Sequence, residues 1–70
     1  MTLDKIPVGE ICGVTGMDLP RQVGRRLEAL GLTLGTRVLV LGKKSGALIL
    51  KVRGTRFAVG QGITRKIEVA

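Results

Sequence analysis

The stretch from Arg25 to Thr36, RRLEALGLTLGT, constrains the fold of this chain more than any other. It brings an amphipathic helix to its end, turns on Gly31 and again on Gly35, and feeds an apolar run that reaches Leu41. Gly31 suits the left-handed C′ position that closes a helix. Thr33-Leu34-Gly35-Thr36 has the form of a type II turn, whose third position takes the positive φ that Gly35 supplies. A helix stopped there and a strand launched there fix an order of elements that few small domains share.

The same reading extends in both directions. Leu3 and Ile6 lie three apart, which suits one helical turn packed on the body before Pro7 and Gly9 break the chain. Glu10 to Thr15 reads as a first strand, with Cys12 and Val14 on one face by the period of two. Cys12 is then a small core residue; no histidine exists to activate it. The helix is expected from Leu19 to Leu30, its apolar stripe formed by Leu19, Val23, Leu27 and Leu30. Asp18 is the expected N-cap, and Pro20 is tolerated in the first turn. Gly24 costs about 1 kcal/mol in a helix interior, which suggests a strand passing close to the backbone there.

Downstream, Val38-Leu39-Val40-Leu41 is apolar on both faces, although one face of a small antiparallel sheet normally meets water. Lys43-Lys44-Ser45-Gly46 reads as a hairpin loop with lysines at its tip. Leu48, Leu50 and Val52 alternate with Ile49, Lys51 and Arg53, the pattern of a half-buried strand. Gly54 turns the chain into Thr55 to Val59, with Phe57 and Val59 inward. Gly60-Gln61-Gly62 ends that strand, Ile63 to Arg65 forms a short turn, and Lys66 to Val69 is a last strand. The fold class is mainly β with one helix. Five short strands around a small core suit a partly closed barrel, because an open sheet of this size leaves two bare edges.

Seventy residues allow one domain, residues 1–70, with no internal repeat or linker. A chain of this length buries only ~60% of its unfolded surface. The single cysteine rules out an internal disulfide and fits a reducing compartment. Without histidine the usual zinc ligand sets cannot be assembled. Met1 to Ile6 lacks an apolar signal core, and no run approaches the roughly 18 apolar residues of a membrane span, so the expected location is the cytoplasm. The net charge of +7 points to a nucleic acid, an anionic membrane face or an acidic protein surface, or simply to a solvated basic coat. Phe57 is the one aromatic residue, whereas single-strand binders stack bases on several aromatic platforms.

At this point the ordered set of motifs resembles the FeoA family of bacterial ferrous iron transport. Leu3 to Glu10 looks like the family's opening. Arg26-Leu27 through Leu30-Gly31-Leu32 looks like its helix end, and Gly35-Thr36 with Val38 like its turn into the second strand. Val52-Arg53-Gly54 with Phe57-Ala58-Val59 looks like its strand–turn–strand, and Ile67 with Val69 like its closing strand. The resemblance covers the chain almost end to end. It implies a small SH3-like β-barrel, also known as the C-terminal domain of DtxR-type repressors. It departs at Leu34, where the family often has proline, and at Gly60-Gln61-Gly62, where charged residues are common and more loop flexibility is expected here.

The resemblance further implies a non-enzymatic accessory or regulatory subunit that binds the cytosolic part of FeoB, a membrane transporter with a GTP-binding domain. The residues agree. No phosphate-binding P-loop, Ser–His pair or paired carboxylates are present, and Asp4, Glu10, Asp18, Glu28 and Glu68 are scattered. No cofactor, catalytic residue or metal ligand is assigned, because ferrous iron needs several convergent O or N ligands. The alternative is a small basic nucleic-acid-binding barrel, faintly supported by Arg53 to Val59. A detached repressor barrel lacks the winged helix that would read DNA, and nothing in the chain speaks for an enzyme. Self-association is left open. The candidate partner-binding residues are Leu34, Leu39, Leu41, Lys43 and Lys44: an apolar strand flanked by lysines, where burial supplies affinity and charge supplies orientation. The competing arrangement packs Leu39 and Leu41 under the helix.

Overall fold

In the computed structural model, which describes residues 1–70, the helix closes where Gly31 places its end. Helix α1 spans Arg21–Ala29, and Leu30 and Gly31 follow as its cap. The Gly31 N–H donates to the Glu28 carbonyl at 2.9 Å, and the Leu32 N–H reaches back to the Leu27 carbonyl at 2.9 Å. This is the Schellman arrangement, with Gly31 at φ +95° and its customary apolar contact made by the buried pair Leu27 and Leu32. The type II turn follows as expected. Thr36 N–H donates to the Thr33 carbonyl at 3.1 Å, with Gly35 at φ +85°.

The chain opens with a 3-10 turn at Leu3–Lys5, which buries Leu3 and Ile6. Strands β1 Ile11–Met17, β2 Arg37–Lys44, β3 Ala47–Val52, β4 Thr55–Gly60 and β5 Ile67–Val69 form an antiparallel sheet in the order β4-β3-β2-β1-β5. A second short helix, α2 Gln61–Thr64, connects β4 to β5, where the sequence suggested a strand break and a turn. Strand β1 pairs with β2 through Ile11 to Gly13, then with β5 through Val14 to Met17. A register irregularity between Val14 and Gly16 marks the change of partner, and it curls the sheet toward a barrel. Closure stays partial, because β4 pairs only with β3. The core lies inside the curl, where Val14, Val38, Val40, Leu50, Val52 and Ile67 are all but sealed from water.

Several sequence expectations are corrected. Asp18 does not cap α1. The helix starts three residues later, with Pro20 at the N-cap position and no side-chain cap, and the Asp18 N–H donates instead to the Lys66 carbonyl at 2.8 Å. Leu30 is 42% exposed, because the chain leaves the helix there and Leu32 fills the core place beside Leu27. The hairpin loop is shorter than the run Lys43 to Gly46 suggests. Lys43 and Lys44 still belong to β2, and only Ser45 and Gly46, at φ +52° and +81°, make the turn. No strand presses on Gly24: a Cβ there would meet nothing within 4 Å. With no packing reason for glycine, Gly24→Ala is expected to stabilise the domain by about 1 kcal/mol, read from urea unfolding. An unchanged or lower midpoint would mean that the helix backbone needs that opening.

Cys12 is core, as its pairing with Val14 predicted, and only 6% exposed. Burial pushes its thiol above the ordinary value of 9.0. The folded state therefore holds the proton longer than the unfolded chain. The resulting stability is complete below the unfolded pKa and is lost as pH rises through the folded one. Labelling by a thiol reagent at pH 8 should follow global unfolding, and fast labelling of the native protein would contradict this packing.

Candidate partner-binding surfaces

Alternation along β2 sends Val38 and Val40 into the core and leaves Arg37 and Leu39 on the outer face of the sheet. Leu39 and Leu41 are half-buried, and neither joins the core or packs against it. The packing of both under the helix, the competing arrangement, is not what the chain adopts. A register shift between Val40 and Gly42 forms a bulge, so Leu41 and Gly42 together oppose Ile49 of β3. On β1, Ile11 stands directly across from Leu39 and is 61% exposed. The outer face thus carries an apolar patch of Ile11, Leu39, Leu41 and Ile49. Its register row continues into charge: Leu39 faces Lys51, and Lys51 faces Arg56.

The other candidates fall elsewhere. Leu34, 67% exposed at the tip of the type II turn, overhangs a groove of about 450 Å³. Met17 at the end of β1 and Leu19 in the connection after it line the groove, with Arg21, Gly24, Arg25 and Glu28 from α1. The turn is braced by the hydroxyls of Thr33 and Thr36, 2.7 Å apart, which hold Leu34 outward. Lys43 and Lys44 border a smaller cleft of about 280 Å³ with Asp4, Gln61 and Thr64. The five sequence candidates therefore occupy three places: Leu39 and Leu41 share one, while Leu34 and the lysine pair each lie apart. Ile11 and Ile49 were missed, although their alternation with Cys12 and Leu50 placed them opposite the core. Lys51 and Arg56 were missed because cross-strand register leaves no local trace.

Charge is unbalanced over the whole surface. The only ion pair joins the Met1 ammonium to Glu68 at 3.3 Å, between two exposed groups. None of the twelve lysines and arginines has an acidic partner. No three His, Cys, Asp or Glu side chains come together. No buried side-chain polar atom is left without a hydrogen bond. No helix is long and apolar enough to cross a membrane.

These features define a small, basic, mainly β barrel that offers apolar and charged surfaces. The comparisons with known proteins refine that class. The family model of the FeoA domain matches residues 1–70, and the chain belongs to the FeoA family. The solution structure of FeoA from Chlorobium tepidum superposes with a TM-score of 0.93 at 25% identity, over 99% of this chain and 68% of that one. FeoA of Stenotrophomonas maltophilia, crystallised with zinc and described as a prokaryotic SH3 domain protein, gives 0.83 at 29% identity over 100% and 89%. The SH3-like barrel is thereby established. A manganese-dependent transcriptional repressor shares the fold, with a TM-score of 0.89 at 21% identity, over 99% of this chain and 39% of that chain. A curated relative from Methanocaldococcus jannaschii, named "Putative Fe(2+) transport protein A", is 31% identical over 45 residues, which make up 64% of this chain and 55% of that protein.

Proposed function

We propose that this chain is a non-enzymatic accessory subunit of ferrous iron transport, acting in the cytoplasm on the cytosolic part of a FeoB-type membrane GTPase transporter. Family membership supports the transport setting. The observation that carries the docking reading is the outer sheet face, where Leu39, Leu41, Ile11 and Ile49 form an apolar patch outside the core. Apolar surface grouped in this way, with charge at its rim, is the composition of a protein interface. The chain contributes contacts and no chemistry.

Lys43 and Lys44 stand at the hairpin end of β2, the same strand that carries Leu39 and Leu41. They guide approach more than they hold the complex, because rim charges act mainly on the association rate. Changing both lysines to Glu should slow association with the transporter's cytosolic domain by about tenfold at low salt and leave dissociation nearly unchanged. Surface plasmon resonance reads both rates. An effect confined to dissociation would place the lysines inside the contact. The nucleic-acid alternative is disfavoured, because Phe57, the one aromatic side chain, packs against the core and offers no stacking platform. Retention of the wild type on the immobilised transporter domain, with no salt-dependent shift on random DNA, is the expected pair of results. The reverse pair would replace this reading.

A further inference from the structure

Strand β4 forms one border of the sheet, pairs only with β3, and has no other strand beyond it. The Arg53-Gly54 turn, at φ +51° and +83°, is a two-residue hairpin, so Val52 and Thr55 close it as a hydrogen-bonded pair. Alternation then makes Leu50–Phe57 and Leu48–Val59 the bonded pairs. The N–H and C=O groups of Arg56 and Ala58, and the N–H of Gly60, point away from β3. No turn or loop hydrogen bond uses these groups of Arg56 and Ala58, and no side chain bonds to them, whereas the Gly60 carbonyl is taken up as the N-cap of α2 and only its N–H stays free. All three residues are exposed. Natural edges are usually blunted by shortness, charged side chains, proline, a bulge or a cover, and β4 carries one such charge, Arg56. Strand β4 has no proline and keeps an unbroken register from Thr55 to Gly60.

We infer that this edge accepts an extended segment of a partner protein as a sixth, antiparallel strand, and that the segment carries an acidic residue opposite Arg56. The register sets the remaining chemistry. The position opposite Arg56 lies on the outer face, at the end of the row Leu39–Lys51–Arg56, where two unpaired cations meet it. The position opposite Ala58 lies on the same face, against the small Ala58 with Ile49 one strand beyond it, and takes an apolar side chain. The position between them lies beside half-buried Phe57 on the inner face, and is also apolar. Read in its own direction, the segment is apolar, apolar, acidic. Main-chain bonds supply affinity in this mode of recognition, and alternate side chains supply specificity. A second copy of this chain is a poor occupant. Two molecules of charge +7 would meet, with Arg56 on each side of the new ladder.

The inference rests on the sheet edge and its charges and does not need the transporter reading. The test is an NMR titration of the labelled chain with the peptide acetyl-Thr-Val-Val-Glu-Thr-amide, against the same peptide with Lys for Glu. The expected result is saturable shifts centred on the Arg56, Ala58 and Gly60 amides for the Glu peptide, with affinity at least tenfold weaker for the Lys peptide. Ala58→Pro removes one outward N–H and no ladder donor, so it should leave the native spectrum in place and abolish binding. Arg56→Glu should reverse the preference toward the Lys peptide, which tests the charge even where the proline variant folds poorly. Equal response to both peptides, shifts away from β4, or no response at millimolar peptide would overturn the proposal. So would a concentration-dependent dimer that Ala58→Pro dissolves, since the edge would then serve a second copy.

Discussion

Val38→Asp is expected to leave no folded protein, while Leu39→Asp, one residue later, is expected to fold normally and to lose its partner. Val38 is fully enclosed in the core. A carboxylate there has no partner, and an uncompensated buried charge costs about 3–5 kcal/mol. A domain of this size has roughly 4–10 kcal/mol of stability in all, at the usual value per residue. The lost packing of valine adds to the deficit. Leu39 sits on the opposite face, half in water and outside the core, so the same change there should cost no more than about 1 kcal/mol of stability. Binding to the transporter's cytosolic domain should nevertheless weaken at least about tenfold, because a central apolar contact is replaced by a desolvated charge. Circular dichroism and calorimetric titration of the two variants give both readings. Unfolding of Leu39→Asp would show that this face is structural.

The second large effect lies in the core. Leu50 is buried at the middle of β3, between Val40 on one side and Phe57 on the other. Leu50→Ala should cost about 3 kcal/mol, the transfer term plus the cavity left behind. For a domain of this length that corresponds to a fall of roughly 12–24 °C in Tm. A shift of only a few degrees would mean that the sheet collapses to fill the space. Leu34→Ala is the useful contrast, since this leucine touches mostly water and its loss should scarcely move Tm.

Where local chemistry decides the structure, residue identity was enough to read it. Gly31 foretold the left-handed close of the helix, while the Schellman cap it forms puts Leu32 rather than Leu30 beside Leu27 in the core. The period of two placed Leu48, Leu50 and Val52 inward without ambiguity. Errors arose where distance or register decides. Asp18 has the right side chain for a cap but lies too far before Arg21, and its N–H is drawn into pairing beside β5. Glycine at position 24 of a helix suggests a close approach, yet a Cβ there would meet nothing within 4 Å. The lysines at 43 and 44 made a polar loop plausible, although only Ser45 and Gly46 adopt the turn. The partner-binding candidates were grouped by nearness along the chain. The bulge after Val40 and the helix-to-strand turn distribute them over three surfaces, and neither feature alters composition.

The outer-face account is tested most directly by footprinting the labelled chain against the transporter's cytosolic domain. Backbone and methyl shifts should concentrate on Ile11, Leu39, Leu41 and Ile49, with Lys51 and Arg56 at their edge, and should vanish for Leu39→Asp. Shifts that map instead to Leu34, Met17 and the exposed side of α1, or no shifts with a partner shown to be folded, would contradict it.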